Sequence, residues 1–330
     1  MSRKKVAISL GDPAGIGPEI ALKAALDPRV REISDPLLVG DRGAIELHAR
    51  ASGLTPEMRA FPNAAAVDWS FPGLKLLALD QFREEPLRLG KIAAAHGRAA
   101  VEAAGTAIAA ALAGQVDAVV AAPQTEAAIK AAGIEFDGYP SFVARCTKVA
   151  PEDAFLMICF DDKRIVHATL HVSLARALAL VTKERVGKVI AAAHDTLTRI
   201  GIARPKLAIA GVNPHAGEDG MFGDEEIRII GPAIEATRAQ GIDAEGPFGA
   251  DTMFHRACDA FIVMYHDQGH IAAKLLARNR TAGLTIGTPI LFSSVAHGSA
   301  LDIAGQNRAS PEAMVEAVRR LVGAAEQRAA

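Results

Sequence analysis

The sequence predicts an α/β protein built on a largely parallel sheet. Short apolar runs at residues 6–10, 116–121 and 206–212 alternate along the 330 residues with stretches of helical character. Regular alternation of strand and helix is typical of α/β folds with parallel strands. Several of these runs stop abruptly at polar residues, and ligands of open α/β sheets bind at the carboxyl ends of the strands. The ends of the strands are therefore where we look for a functional site.

The first half of the chain gives a regular series of elements. Strands are predicted at residues 6–10, 37–40, 74–79 and 116–121, and helices at about 18–26, 44–51 and 96–112. The turn at residues 11–19 is rich in glycine, and Pro18 suits a first helical turn because its missing N–H costs nothing there. This turn matches neither the dinucleotide GxGxxG nor a phosphate-binding loop. Thr125 is a candidate cap for a helix that follows the fourth strand.

The second half continues the alternation. Residues 155–160 and 164–170 predict two strands joined by a hairpin turn at 161–163, and further strands follow at 206–212 and 261–265. Helical sequence occupies about 225–240 and 311–325, and Gly231-Pro232 predicts a break or kink in the first of these helices. Ser173 is a candidate helix cap.

Composition excludes several classes of protein. The net charge is only −2 and no basic run appears, which argues against a nucleic-acid-binding protein. No apolar stretch approaches the roughly 18 residues of a membrane helix, and residues 6–10 are too short for a signal segment. The three cysteines are far apart and form no CxxC pair, which indicates a reducing compartment. We therefore expect a cytoplasmic protein that binds neither nucleic acid nor membranes.

Three histidines, His171, His215 and His266, each follow a predicted strand. If the fold brings these three imidazoles together, they could bind a divalent metal and leave one or two of its coordination positions open. Such an arrangement is typical of a catalytic metal site. Lys274 could reach back over the strand end if a helix opens at Gly269. The alternative is that the histidines are caps or hydrogen-bonded core residues. No GxSxG elbow is present, and no cysteine stands beside a base, so nucleophilic catalysis is disfavoured.

A second candidate site is the loop at residues 297–305, where Asp302 stands among glycines. Its carboxylate could accept hydrogen bonds from a ribose diol and would repel a 2′-phosphate, which favours NAD over NADP. The alternative is a loop that is capped by Asp302.

Four motifs together resemble the 4-hydroxythreonine-4-phosphate dehydrogenase family, in the same order and over essentially the whole chain. They are Gly11-Asp-Pro-Ala-Gly-Ile-Gly-Pro-Glu19, Asn213-Pro-His-Ala-Gly-Glu218, Tyr265-His-Asp-Gln-Gly269 and the loop that begins His297-Gly-Ser-Ala. The resemblance implies a three-layer α/β fold of the isocitrate and isopropylmalate dehydrogenase type, with two domains and an active-site cleft between them. Residues 1–125 with 275–330 would form the cofactor-side domain, and residues 126–274 the metal, substrate and dimerisation domain.

The resemblance also implies a divalent metal and a dimer. The metal would be zinc, with magnesium, manganese or cobalt as alternatives, and its ligands would be His171, His215 and His266. The third of these would come from the other subunit, so that a homodimer has shared active sites.

The implied reaction is NAD-linked oxidation of a β-hydroxy acid with decarboxylation. Such a metal lowers the pKa of the substrate hydroxyl and then stabilises the enolate as a Lewis acid. Lys274 would touch the substrate, and either Asp251 or Asp267 would move the proton. The residues that would hold NAD are His297, Gly298, Ser299, Asp302 and Gly305.

The sequence departs from the biosynthetic members of the family at several positions. Tyr139-Pro140 replaces His-Thr, Gly283 replaces a substrate-binding Asn, and Phe292 replaces an Arg. Loss of the arginine removes a permanent charge that binds phosphate through two parallel hydrogen bonds. Residues 138–141, 269–276 and 293–300 instead look like the branch that oxidises cyclic dihydrodiol carboxylates, such as the terephthalate dihydrodiol.

The favoured substrate is therefore a cyclic cis-dihydrodiol carboxylate. One alternative is 4-hydroxythreonine-4-phosphate dehydrogenase activity in pyridoxal phosphate biosynthesis, with the phosphate on Lys274, Arg278 or Arg280. Another is a non-catalytic metal-binding or scaffold protein. The predicted substrate contacts are Tyr139, Ser141, Lys274 and Phe292.

Overall fold

The structure is a computed structural model that describes residues 3–82, 86–277 and 281–322. The strands are β1 (Lys4–Ser9), β2 (Ser34–Asp41), β3 (Met58–Phe61), β4 (Leu74–Leu79), β5 (Ala118–Ala121), β6 (Phe155–Phe160), β7 (Lys163–His167), β8 (Lys206–Ala210), β9 (Asp243–Phe248), β10 (Ala260–Val263), β11 (Ala282–Ile286) and β12 (Leu291–Val295). The helices are α1 (Gly17–Leu26), α2 (Pro28–Ile33), α3 (Arg42–Ala51), α4 (Ala94–Leu112), α5 (Glu126–Ala131), α6 (Tyr139–Thr147), α7 (Leu174–Leu180), α8 (Lys183–Arg199), α9 (Gly231–Arg238), α10 (His266–Ala277) and α11 (Glu312–Leu321).

These elements form two compact units. The first contains the described residues up to Lys148 and from Pro289 onward, and the second contains Val149–Thr288. Both boundaries lie later in the chain than the predicted positions near residues 125 and 275. The first boundary differs because α5 and α6 pack against α4. The second differs because β11 pairs antiparallel with β6.

The first unit is built on parallel strands in the order β3-β4-β2-β1-β5-β12. Helix α4 packs against β1 and β2. Parallel strands covered on both faces have continuous apolar sequences because neither side of the strand meets water. The centre of β1 fits this rule, since Val6, Ala7 and Ile8 are fully buried.

The second unit has strands in the order β11-β6-β7-β10-β8-β9. Strand β6 is antiparallel to both β11 and β7, which confirms the predicted hairpin of β6 and β7. The strands from β7 to β9 are parallel to their neighbours. The prediction of an α/β protein with largely parallel strands is confirmed. The carboxyl ends of β7, β10 and β8 therefore lie side by side.

Local expectations are confirmed in part. Ser173 caps α7 by accepting a hydrogen bond from the Arg176 N–H at 3.3 Å. The predicted break at Gly231 is present, because a π-helical turn at Glu226–Ile230 precedes α9. Thr125 does not cap α5 with its side chain, since its hydroxyl donates to Ser299 Oγ at 2.9 Å. None of the helices in the described part of the chain has the length and apolar character that crossing a bilayer requires.

Candidate functional site

Each proposed metal ligand follows a different strand of the second unit. His171 comes after β7, His215 after β8 and His266 after β10, where it is the first residue of α10. These strands are parallel neighbours in the order β7-β10-β8. The fold thus brings the three histidine-bearing segments to one edge of this unit.

Hydrogen bonds tie these three segments to one another. The backbone N–H and the hydroxyl of Thr169 both donate to Met264 O, at 3.2 and 2.8 Å, which fixes the segment before His171 beside the end of β10. Gln268 accepts from Met264 N–H at 2.8 Å and donates to Gly211 O at 2.9 Å. One glutamine therefore joins the end of β10 to the end of β8.

Two of the proposed ligands, His171 and His266, lie close together. Their ring centroids are 5.7 Å apart. His266 Nδ1 is 2.7 Å from Asp267 Oδ1, which leaves Nε2 available. His215 stands apart, with its ring edge-on to Phe222 at 5.8 Å. Within residues 3–82, 86–277 and 281–322, no three His, Cys, Asp or Glu side chains form a group that could hold a metal ion.

His215 opens a left-handed turn. Residues 215–219 all have φ between 43° and 85°, a conformation that costs about 1–2 kcal/mol for each residue other than glycine. The buried carboxylate of Glu226 anchors the entry to this turn. It accepts hydrogen bonds from Val212 N–H at 2.6 Å and from the backbone and side-chain N–H groups of Asn213, both at 2.9 Å. Strained backbone held in place by its surroundings is frequent at functional sites.

Helix α10 presents His266, His270 and Lys274 at intervals of four residues, so they share one face. The rings of His266 and His270 are stacked, with centroids 3.8 Å apart and planes inclined by 8°. Lys274 is exposed one turn further on. Burial lowers the pKa of His270 to about 4, and the nearby His266 adds to this effect. The helix begins at His266 and not at Gly269 as expected.

His167, the last residue of β7, lies beneath this row of side chains. It is 1% exposed, and its Nε2 is 3.1 Å from Nδ1 of His270. Burial lowers the pKa of His167 to about 3, and His270 lowers it further, so the ring is neutral at physiological pH. A side chain on Gly269 would collide with His167 Nε2, which explains the glycine at this position.

Sequence reasoning assigned no role to His167 or His270. The signal for His270 is its spacing of four residues from both His266 and Lys274, which becomes visible once the helix is known to begin at His266. The signal for His167 is a histidine within an otherwise apolar strand.

The two candidate proton carriers, Asp251 and Asp267, occupy different surroundings. Asp267 is hydrogen-bonded to His266, as described above. Asp251 is exposed and lies beside the His215 turn: a methyl group built on Gly249 would be 2.8 Å from Asp251 Oδ1 and 3.7 Å from His215 Cα. Asp267 is therefore placed to orient a ring, and Asp251 is open to solvent.

The candidate cofactor loop at residues 297–305 belongs to the first unit and packs on the glycine-rich turn of residues 11–19. Ile16 N–H donates to Ser299 O at 2.8 Å. A Cβ on Gly15 would lie 2.6 Å from the same oxygen, so only glycine permits this approach. Ser299 is buried, and its hydroxyl accepts from Thr125. The serine thus fixes the loop on this turn.

The exposed residues of the loop include Asp302, His297 and Gly298. The Asp302 carboxylate makes no hydrogen bond within the part of the chain that the structure describes, so it does not cap the loop. Gly305 has a φ of 72° and packs on Leu89, which closes the loop.

The predicted substrate contacts in the first unit lie around Tyr139. Its hydroxyl donates to Ala122 O at 2.9 Å and accepts from Gln124 Nε2 at 2.7 Å. Burial raises the pKa of this hydroxyl. Phe292 packs on the Tyr139 ring with centroids 5.1 Å apart and is only 1% exposed, so it is a core residue in this structure. Ser141 lies in the first turn of α6 and is half-buried.

Arg278 and Arg280, the alternative phosphate ligands, lie outside the described residues.

The sequence matches the family described as pyridoxal phosphate biosynthetic protein PdxA over residues 32–321. A relative from Symbiobacterium thermophilum, provisionally named D-threonate 4-phosphate dehydrogenase, is 40% identical over 322 residues, which cover 96% of both chains. A solved terephthalate 1,2-cis-dihydrodiol dehydrogenase from Burkholderia xenovorans LB400 is 40% identical, with a TM-score of 0.78, and covers 98% of this chain and 99% of its own. A 4-hydroxythreonine-4-phosphate dehydrogenase from Burkholderia phymatum is 31% identical, with a TM-score of 0.88 over 98% of both chains. These likenesses confirm the expected three-layer α/β fold.

Proposed function

Because the chain belongs to the PdxA family and its relatives are named dehydrogenases, we propose that it is a metal-dependent, NAD-linked enzyme that oxidises a β-hydroxy acid with decarboxylation. The observation that carries this proposal is the gathering of three histidine-bearing strand ends at one edge, with Asp267 hydrogen-bonded to His266. A carboxylate on the second ring nitrogen is the usual partner of a metal-binding histidine, because it fixes the tautomer and orients the ring.

The three imidazoles suit a divalent metal in their chemistry, although the described part of one chain does not group His215 with the other two. His171 and His266 would supply two neutral imidazoles and His215 a third, a donor set typical of zinc. When bound, such a metal acts as a Lewis acid that favours loss of the substrate hydroxyl proton and stabilises the negative charge that decarboxylation produces. The stack of His270 on His266, held from below by His167, would keep the His266 ring in one orientation.

The remaining polar groups would bind substrate and move the proton. The Lys274 ammonium, two turns from His266 on the same face of α10, would hold a substrate carboxylate. Asp251 would accept the hydroxyl proton, because Asp267 is engaged with His266 and Asp251 is open to solvent beside the His215 turn. Asp251→Asn should then lower kcat while the metal content stays normal, whereas Asp267→Asn should weaken metal binding. If only Asp251→Asn had a reduced metal content, Asp251 would support metal binding and Asp267 would be the proton acceptor.

The metal assignment is tested by metal analysis of purified protein. His171→Ala, His215→Ala and His266→Ala should each lose most of the bound metal, and the exposed His255→Ala serves as the control. Normal metal content in all three variants would show that the histidines have another role. An assay of NADH release with and without a chelator separates a metal-dependent enzyme from a scaffold protein.

NAD should be preferred over NADP. The support is the exposed carboxylate of Asp302, which makes no hydrogen bond within the described residues and is therefore free to meet the ribose hydroxyls. The expected result is a higher kcat/KM for NAD than for NADP in the wild type. In Asp302→Ala the difference between these two values should be smaller. A wild-type enzyme with the higher kcat/KM for NADP would contradict the assignment.

We propose a cyclic cis-dihydrodiol carboxylate as the substrate. The support is the replacement of the biosynthetic members' His-Thr by Tyr139-Pro140 and of their substrate-binding Asn by Gly283, together with 40% identity to the terephthalate dihydrodiol dehydrogenase. Oxidation and decarboxylation of such a substrate restore an aromatic ring.

A second candidate is a phosphorylated hydroxy acid, because the relative named for D-threonate 4-phosphate is also 40% identical. Sequence identity to these two relatives is equal, so it does not distinguish the cyclic substrate from the phosphorylated one. The deciding assay offers the cyclic dihydrodiol dicarboxylate, D-threonate 4-phosphate and 4-phosphohydroxythreonine in turn, and follows NADH and carbon dioxide. Efficient turnover of either phosphate ester, with none of the cyclic diol, would overturn the proposed substrate.

We further propose that a second copy of the chain covers the histidine edge. Many large apolar side chains are exposed in and next to the ligand-bearing segments, and an apolar surface of this kind marks an interaction site. They are Val172, Leu174, Leu178, Met221, Phe222, Ile227, Ile271, Leu275 and Leu276. In a homodimer formed there, His266 of one subunit could complete the metal site of its partner. Alternatively, His266 could act beside His171 of its own subunit.

A further inference from the structure

A second charged pocket lies in the first unit, at the amino ends of β1, β2 and β4. Its volume is about 220 Å³, and its lining includes Arg3, Arg31, Ser34, Asp35, Trp69 and Lys75. The glycine-rich turn that supports the cofactor loop follows the opposite, carboxyl end of β1. Six residues of strand separate the two ends, which is roughly 20 Å at 3.3 Å per residue. The pocket is therefore separate from the candidate cofactor site.

Lys75 is the unusual member of this pocket. It lies in β4 and is only 4% exposed. Its ammonium makes no hydrogen bond and no ion pair with any residue that the structure describes. Most of the side chain is shielded, so the ammonium depends for its solvation on whatever occupies the pocket that it lines.

The nearest charges do not compensate for Lys75. Asp35 is the carboxylate in the pocket wall, and it is paired with Arg3 at 3.0 Å. Arg3 also donates to Arg31 O at 3.0 Å, and Arg31 donates to Pro72 O. Among the described residues of the pocket wall, the three cations of Arg3, Arg31 and Lys75 therefore face the carboxylate of Asp35. Asp68, which also acts on Lys75, is paired with Arg59 at 3.1 Å. Burial lowers the pKa of the Lys75 ammonium; Asp35 and, more weakly, Asp68 oppose this effect, and the guanidiniums of Arg31 and Arg3 reinforce it.

We propose that this pocket binds a small dianion of the phosphate class, either inorganic phosphate or a small phosphomonoester. A dianion balances the two excess positive charges, and it supplies the partner that Lys75 lacks. Arginine side chains are well suited to phosphate oxygens because their N–H groups form parallel, charge-assisted hydrogen bonds. The volume corresponds to about seven water molecules at roughly 30 Å³ each, which accommodates a phosphate with a short organic group.

Isothermal titration with inorganic phosphate, and separately with glycerol 3-phosphate, tests the proposal at constant ionic strength set with chloride. Tighter binding of one of the two identifies which source the pocket prefers. Wild-type protein should bind, and Lys75→Met, which keeps the length of the side chain without its charge, should bind at least tenfold more weakly. Lys4→Gln is the matched control, since Lys4 is exposed at the same end of β1 and is paired with Asp117 at 3.6 Å. Its affinity should equal that of the wild type.

A further arm separates this pocket from the candidate active site. Lys274→Met should retain phosphate binding if the pocket around Lys75 is the site. Phosphate binding that is lost in Lys274→Met and kept in Lys75→Met would overturn the proposal, as would no binding to the wild type. Lys75→Met should melt no lower than the wild type in chloride, because it removes an unpaired buried charge. If it fails to fold, Arg3→Gln replaces it, since the Arg3 side chain is half exposed and tolerates the change.

Discussion

At the scale of the residue, the segment from His266 to His270 shows how five adjacent residues have separate roles. His266 is a proposed ligand, and Asp267 holds its ring. Gln268 joins two strand ends, Gly269 permits close packing on His167, and His270 stacks on His266 while bonding to His167. The motif is therefore explained by contacts within one chain, before any ligand is considered.

The neutral, buried His167 should make stability depend on pH. Its pKa is about 3 in the folded protein and about 6.5 in the unfolded chain, so protonation favours unfolding. Its contribution is fully present above pH 6.5 and is lost as the pH falls toward 3. Between pH 7.5 and 5.5 the loss should be about 1.4 kcal/mol. The free energy of unfolding, measured in urea with a chelator present, should fall between these two pH values in the wild type. In His167→Asn this fall should be smaller by the same amount. The exposed His255→Asn is the control, and an unchanged pH slope in His167→Asn would contradict the prediction.

Phe292→Arg should destabilise the protein and should not create phosphate activity. Phe292 is buried against Tyr139, so a guanidinium there would be an uncompensated buried charge, which costs about 3–5 kcal/mol. Phe292→Leu, which keeps the site apolar and leaves only a small cavity, should cost less than Phe292→Arg. Both free energies of unfolding are measured in urea. A stable Phe292→Arg protein with new activity on phosphate esters would show that this side chain reaches the substrate.

At the scale of the element, the turn that carries His215 has an unfavourable local conformation. Its left-handed residues are kept in place by hydrogen bonds that reach Glu226 from Val212 and Asn213. Helix α9 therefore contributes to the site indirectly, because the π-helical turn before it contains Glu226. A ligand on so constrained a turn is oriented before any metal binds.

Glu226→Gln should loosen this turn. The amide nitrogen of glutamine would face N–H donors, so at least one charge-assisted hydrogen bond worth about 1.5–3 kcal/mol is lost. We expect faster proteolysis within residues 214–223 and weaker metal binding, with Glu235→Gln on the exposed face of α9 as the control. Equal cleavage rates in wild type and Glu226→Gln would mean that the turn keeps its conformation without this carboxylate.

At the scale of the whole molecule, the proposed dimer determines whether each site is complete. The ring centroids of His171 and His266 are 5.7 Å apart within one chain. Among the described residues, His215 does not form a metal-binding group with them. A shared site and a site within one subunit therefore make different predictions for mixed subunits. Inactive His171→Ala and inactive His266→Ala, once mixed, should regain part of the activity if His266 acts in the partner's site, because both lesions can then fall in one site. Subunit exchange without any recovery would favour a site within one chain.

The apolar surface at the histidine edge can be tested independently. Leu275 is 75% exposed on α10, and Leu275→Glu should shift the protein toward monomer if a second copy covers this face. Sedimentation velocity measures the effect, with Ile92→Glu in the first unit as the control. A Leu275→Glu protein with the same sedimentation coefficient as the wild type would exclude this face from the interface.

Sequence alone determined the fold class, the family and the strand ends at which the three histidines lie, because apolar periodicity and motif order are local properties of the chain. It did not predict β3, β9, β11, β12, α2, α6 or α8. In β9 the sequence contains Gly246-Pro247 and polar residues, and α6 begins at Tyr139-Pro140, which is typical of a turn. Only the tertiary structure decided which side chains meet. The structure shows that Phe292 is buried in the core and that His270 lies within hydrogen-bonding distance of His167. It also shows that Lys75 makes no hydrogen bond or ion pair with a described residue. Each of these facts depends on residues brought together from distant parts of the chain, so no sequence pattern contains them.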